Sequence, residues 1–183
     1  MTHELLIAGF GGQGVLSMGM TLAYAGMLEG KEVSWMPSYG PEMRGGTANC
    51  IVILSDRKVS SPIITTFDTV IALNQPSLDK FENAVRPEGL LIYDSTNIIR
   101  TPSRSDIQVV PIPASEEAVK LNNTKITNMI VLGSFVRLSN VVDTESLTHA
   151  LKNVLPERYH HLLPLNDQAL RLGMELVATV TAP

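Results

Sequence analysis

The sequence predicts an α/β fold: three layers built around a Rossmann-like, mostly parallel sheet, with a helical C-terminal region. Three observations carry that prediction. Short apolar runs alternate with stretches of helical periodicity through roughly the first two thirds of the chain. Several runs are continuously apolar, as expected of strands buried on both faces. The final third, from "SEEAVKL" onward, carries helical patterning only. At 183 residues the chain has the length of one domain, so a single domain over 1–183 is expected.

Taken in order, "ELLIAG" (4–9) reads as a strand that ends in glycines, and "QGVLSMGMTLAYAGMLE" (13–29) as a helix. Further strands are expected at 32–36, 46–55, 68–74 and 89–94. Between the last two, "QPSLDKFENAV" has a proline near its start and a helical pattern, which completes a strand–helix–strand unit. The polar, proline-containing stretch 95–106 reads as a loop before a short sixth strand, "IQVVPIP". Four helical segments follow, with Asp143 and Asn166 as expected N-caps.

Composition excludes several functions. The chain holds 14 basic and 18 acidic residues, net −4, with no basic cluster, so the footprint of a nucleic-acid binder is missing. The N-terminus has an acid where a secretory leader has positive charge, and no apolar run approaches the roughly 20 residues of a membrane span, so a cytoplasmic location is expected. The lone Cys50 can form no internal disulfide and cannot by itself hold an iron–sulfur cluster or structural zinc. It lies in "TANCIVIL", where a buried, inert thiol is expected. The four histidines stand at no telling spacing from a nucleophile or an acid, and His3 is expected in a disordered terminus.

The chemistry sits in "GFGGQG". Gly9, Gly11 and Gly14 satisfy G-x-G-x-x-G after a strand and at the mouth of a helix, with Gly12 and Gln13 between them. Glycine permits positive φ and close approach, and the first-turn N–H groups of a helix favour an anion such as a phosphate. A nicotinamide or flavin site also needs an acid at the end of the second strand, where this chain has Met36-Pro37-Ser38-Tyr39. No Lys-Ser or Lys-Thr follows the glycines, which excludes a P-loop. A second loop, "PSYGPEMRGG", emerges at the same carboxyl end and brings Ser38, Tyr39 and Arg44, whose planar fork suits a phosphate or carboxylate. The other reading of both loops is close strand–helix packing, or a surface that docks a partner chain.

"GFGGQGVLSMG", "WMPSYGPEMRGGTANCIVILSD", "ALNQPSLDKF", "GLLIYDSTNI", "TNMIVLGSFVRL" and "LPLNDQALRLGMELV" together resemble the gamma subunit of 2-oxoacid:ferredoxin oxidoreductases of the 2-oxoglutarate and branched-chain 2-oxoisovalerate type, over nearly the whole chain. The resemblance implies a complex that oxidatively decarboxylates a 2-oxoacid to an acyl-coenzyme A and reduces ferredoxin. It places thiamine diphosphate with its magnesium between alpha and beta partner subunits, and iron–sulfur clusters in the beta and ferredoxin-like delta subunits. The gamma chain, inactive alone, would bind and position coenzyme A. On this reading Gly9, Gly11, Gly12, Gln13 and Gly14 hold the coenzyme A diphosphate, while Ser38, Tyr39 and Arg44 orient it. No residue of this chain is expected to be catalytic or to bind a metal. A stand-alone dinucleotide-dependent oxidoreductase and a purely structural subunit are the alternatives.

Overall fold

The apolar runs assemble into one six-stranded sheet in the computed structural model, which describes residues 1–40, 46–59 and 61–178. Strands β1 (Thr2–Phe10), β2 (Glu32–Tyr39), β3 (Thr47–Ser55), β4 (Phe67–Ala72), β5 (Val85–Asp94) and β6 (Gln108–Ile112) lie in the order β2-β3-β1-β4-β5-β6. Strands β1, β4, β5 and β6 pair in parallel, and β3 runs antiparallel to both β1 and β2. Strand β2 therefore points the same way as β1, and β3 alone is reversed. The expected mostly parallel sheet is found, and its helices are α1 (Val15–Leu28), α2 (Gln75–Phe81), α3 (Ala114–Lys120), α4 (Thr127–Ser139), α5 (Thr144–Val154) and α6 (Leu163–Leu176).

Alternation along each strand divides the core in two. Leu5 and Ile7 of β1, with Cys50, Val52 and Leu54 of β3, face a thick layer of α1, α3, α4, α5 and α6. Leu6, Val70, Leu91 and Tyr93 face the opposite way, toward Leu78 of α2 and Ile98 of the following loop. The three layers are thus unequal. The thick one is closed by α4, whose residues 128–136 are all buried, packed along α6. There the two backbones touch. A Cβ built on Gly133 would sit 2.0 Å from the carbonyl oxygen of Leu170, and one on Gly173 would sit 1.9 Å from that of Ile130. The Ser134 hydroxyl, buried between the helices, reaches the Gly173 carbonyl at 2.8 Å.

Two expectations change, and a third holds in position only. Helix α6 begins at Leu163, with a proline in its first turn, not at Asn166, whose amide instead donates to the Leu162 carbonyl at 2.8 Å. Asp143 occupies the N-cap position of α5 without a side-chain capping bond. His3 is not disordered. It lies in β1, with its ring nitrogen 3.0 Å from the Thr69 hydroxyl and its ring against Phe135, and burial pulls its pKa below the usual imidazole value. Burial also pushes the Cys50 thiol up to about 12, so it stays protonated and unreactive, as the sequence suggests.

The thin layer depends on one carboxylate. Glu82, 5% exposed, follows α2 and accepts hydrogen bonds from Arg100 Nη2 at 2.7 Å and from the Ser103 backbone N–H and hydroxyl, fastening residues 100–104 to the domain. Burial alone would raise its pKa. The bonds from Arg100 and Ser103 outweigh burial and hold it below the ordinary glutamate value. A carboxyl depressed in the folded state stabilises the fold fully above its unfolded pKa, roughly 4.3, and loses that contribution as pH falls through the lower folded value. Glu82→Gln is expected to cost about 2 kcal/mol at pH 7. In urea melts of both proteins the gap should close below about pH 4; a gap independent of pH would refute the account.

Candidate ligand site at the glycine turn

Strand β1 delivers Phe10 to the carboxyl edge of the sheet, and α1 starts at Val15, so residues 11–14 must reverse direction in four positions. Gly12 (φ +100°) and Gly14 (φ +76°) do so in the left-handed region where side chains are disfavoured. Gly14 is the N-cap of α1 and brings no capping side chain; the first turn carries no acid. The first internal bond runs from Met18 N–H to the Gly14 carbonyl at 3.0 Å. Among the described residues, the backbone N–H groups of Gly12, Gly14, Val15, Leu16 and Ser17 therefore have no partner. A helix N-terminus with open donors and its positive dipole end is suited to an anion.

These groups border a cavity of about 290 Å³ lined by Gly11, Gly12, Gly14, Ser17, Tyr39 and Ala48, among others. Around it the glycines divide their work. A Cβ on Gly12 would meet nothing within 4 Å, so this position opens to the cavity. A Cβ on Gly9 would sit 2.7 Å from Gln13 Oε1 and 2.9 Å from Val15 Cγ2, so Gly9 serves strand–helix packing. The Gly11 N–H donates to the Gly46 carbonyl at 2.9 Å and ties the turn to the start of β3.

Gln13 is committed within the chain. Its Oε1 accepts from the Phe10 N–H at 2.6 Å and from Asn74 Nδ2 at 3.2 Å, while Nε2 donates to the Leu73 carbonyl at 3.1 Å. The side chain clamps the turn to the end of β4 instead of facing a ligand. Tyr39 lines the cavity and is half exposed, but Ser38 is its neighbour in β2 and so points to the other face of the sheet, toward the side shared by Met36. The structure thus gathers Gly11, Gly12, Gly14 and Tyr39, holds them with Gly9 and Gln13, and leaves Ser38 apart. Arg44 lies outside the described residues.

Two supporting residues were not foreseen. Ser17 donates its hydroxyl to the Gly14 carbonyl at 3.0 Å, and Asn128, buried at the start of α4, donates Nδ2 to that carbonyl at 3.3 Å and to Ser17 Oγ at 3.2 Å. A helix-spaced Ser two residues into α1 and an amide inside the apolar "TNMIVL" were the available signals.

A family model described as pyruvate ferredoxin/flavodoxin oxidoreductase matches residues 4–176. The chain belongs to this family. Among curated relatives, the family includes the ketoisovalerate oxidoreductase subunit VorA of Methanothermobacter thermautotrophicus, 42% identical over 170 residues, which are 92% of this chain and 35% of that one. The chain thus spans about a third of that relative's length. Among solved structures, the gamma subunit of a keto/oxoacid ferredoxin oxidoreductase from Geobacter sulfurreducens superposes with a TM-score of 0.85 at 29% identity, covering 98% of each chain. A 2-oxoglutarate:ferredoxin oxidoreductase from Magnetococcus marinus, solved with 2-oxoglutarate, coenzyme A and succinyl-CoA bound, superposes with a TM-score of 0.90 at 26% identity over all of this chain and 32% of that one. The resemblance read from the sequence and the family α/β fold are both shown. Among the described residues, no helix is long and apolar enough to cross a membrane.

Proposed function

We propose that this chain, as one domain over 1–183, is the cytoplasmic gamma subunit of a 2-oxoacid:ferredoxin oxidoreductase and that its glycine turn binds and positions coenzyme A. The observation that carries the reading is the set of N–H groups of Gly12, Gly14, Val15, Leu16 and Ser17, without partners among the described residues and open to a cavity at the carboxyl end of the sheet. A relative of the same fold solved with coenzyme A supports it. The VorA relative is about three times as long as this chain; this chain would meet alpha, beta and delta partners as separate subunits. Those partners would supply thiamine diphosphate, magnesium, the iron–sulfur clusters and the electron path to ferredoxin. The substrate is a 2-oxoacid, 2-oxoglutarate or a branched-chain acid.

In this mechanism the diphosphate of coenzyme A accepts hydrogen bonds from Gly12, Gly14 and Val15 N–H, with Tyr39 alongside and Arg44 as counter-charge. Gln13 and Asn128 act by fixing the turn. The contribution is positional: one end of the thiol carrier is immobilised, which raises the effective concentration of the thiol at the acyl group that the partner subunits hold. The reading is tested in the assembled complex with Gly12→Val, whose side chain meets no neighbour within 4 Å but strains the φ +100° backbone that presents the open N–H groups, with the variant's melt measured alongside to show that the domain stays folded. The KM for coenzyme A is expected to rise about tenfold or more with kcat for 2-oxoacid-dependent viologen reduction little changed. An unaltered KM would sink the assignment.

A further inference from the structure

A second cavity, of about 320 Å³, lies within the thick helical layer between α1, α4, α5 and α6. Its volume falls in the range of small-molecule sites. Buried Met129 and Leu151, with Val154, Leu162 and Leu165, make an aliphatic wall. Against that wall stand two buried amides. Asn128 spends Nδ2 on Gly14 and Ser17, and Asn166 spends Nδ2 on the Leu162 carbonyl; among the described residues neither Oδ1 accepts a hydrogen bond. Both residues border the cavity, so each Oδ1 is free to accept a hydrogen bond from a molecule bound there. The rim is made of donors. Lys125, which forms no ion pair among the described residues, stands there with Asn123, whose Oδ1 is occupied by the Lys125 N–H, and with the exposed Tyr159. No aspartate or glutamate lines the cavity.

We propose that this cavity binds a small aliphatic carboxylic acid carrying a hydrogen-bond donor on the carbon next to the carboxylate, that is, a 2-amino or 2-hydroxy acid. The carboxylate sits at the rim with Lys125, Asn123 and Tyr159, where a lone cation without a competing acid favours an anion. The neighbouring amino or hydroxyl group donates to Asn128 and Asn166 Oδ1. The hydrocarbon body covers Met129 and Leu151, removing apolar surface from water. A 2-oxoacid of the same skeleton satisfies the rim and the wall but has no donor for the two amides, so the site discriminates between an oxoacid and its reduced or aminated counterpart. The cavity and the glycine turn share the lining residue Ser17, and Asn128 borders the cavity while its Nδ2 buttresses the turn; the test therefore varies Lys125 and Val154, which do not line the turn's cavity.

The test uses the full chain with 13C-methyl methionine and follows the Met129 methyl signal during titration with leucine, 2-hydroxyisocaproate, 2-oxoisocaproate and 4-methylpentanoate. Saturable shifts are expected with the first two, at affinities about fivefold or more above those of the last two, the size expected for one added hydrogen bond. The preferred member of the first pair identifies the source. Lys125→Met, an exposed change that keeps the aliphatic stem, should weaken all four by about fivefold or more. Val154→Trp, at a half-buried position, should abolish every shift by filling the cavity. The proposal is overturned if no acid saturates at concentrations on the order of 10 mM. It is equally overturned if the oxoacid binds as well as its hydroxy counterpart, or if Lys125→Met changes nothing while the protein remains folded.

Discussion

Replacing Gly173 by alanine is expected to abolish the folded chain. The new methyl carbon would sit 1.9 Å from the Ile130 carbonyl oxygen, and the atom in the way is backbone of the buried stretch 128–136 of α4, which has no rotamer to change. Gly133→Ala meets the Leu170 carbonyl at 2.0 Å in the same seam, so either change must push α4 and α6 apart. Separation also breaks the Ser134 hydroxyl bond to Gly173 and opens the packing around Phe135 and Leu170. Overpacking costs 1–3 kcal/mol when side chains can yield, and more when they cannot; a loss above about 4 kcal/mol would consume most of the stability of an ordinary domain. Far-UV circular dichroism and solubility of each variant at 25 °C measure the effect. A cooperative melt within a few degrees of wild type for either variant would show that the two helices can separate at little cost.

Gly14→Ala carries the second large effect, because two penalties fall on one atom. The residue has φ +76°, where an L side chain costs about 1–2 kcal/mol, and its Cβ would lie 2.4 Å from Asn128 Nδ2. Displacing Asn128 in turn breaks its bonds to the Gly14 carbonyl and to Ser17. The variant is expected to lose about 3 kcal/mol or more of stability and, in the complex, its response to coenzyme A. The double variant Gly14→Ala, Asn128→Ala relieves the clash and should regain part of the stability, leaving the backbone strain. Denaturant melts of the wild type, both single variants and the double variant measure that coupling. An additive result would show that Asn128 does not buttress the turn.

Much of this architecture was legible in the residues. The step from "ELLIAG" to a glycine turn and an Ala- and Met-rich helix fixes β1 and α1 to within two residues at either end, and the proline of "QPSLDKF" marks the first turn of α2, whose N-cap Asn74, read as the end of a strand, accepts from the Ser77 N–H. The reversal of β3 was not legible, because "NCIVIL" is buried on both faces and reads alike in either direction. Asn166 looked like an N-cap because a polar residue opens the apolar pattern, yet Leu163-Pro164 one turn earlier is the true start. In the site, strand periodicity alone separates Ser38 from Tyr39 once β2 extends to residue 39, three residues beyond the apolar run that announced it. The commitment of Gln13 to Phe10, Leu73 and Asn74 depends on a partner 61 residues away, which no local pattern encodes. Asn128 reaches Gly14 across 114 residues for the same reason.

Each border of the sheet carries a proline: Pro37 in β2 at one end of the strand order and Pro111 in β6 at the other. Proline has no N–H to offer an incoming strand, and a border interrupted in this way resists continuation of the ladder by another polypeptide. The domain is therefore protected from edge-to-edge aggregation at both margins. In a multi-chain assembly it would be joined through helix faces and loop surfaces, leaving its own ladder of hydrogen bonds closed to exchange with its neighbours.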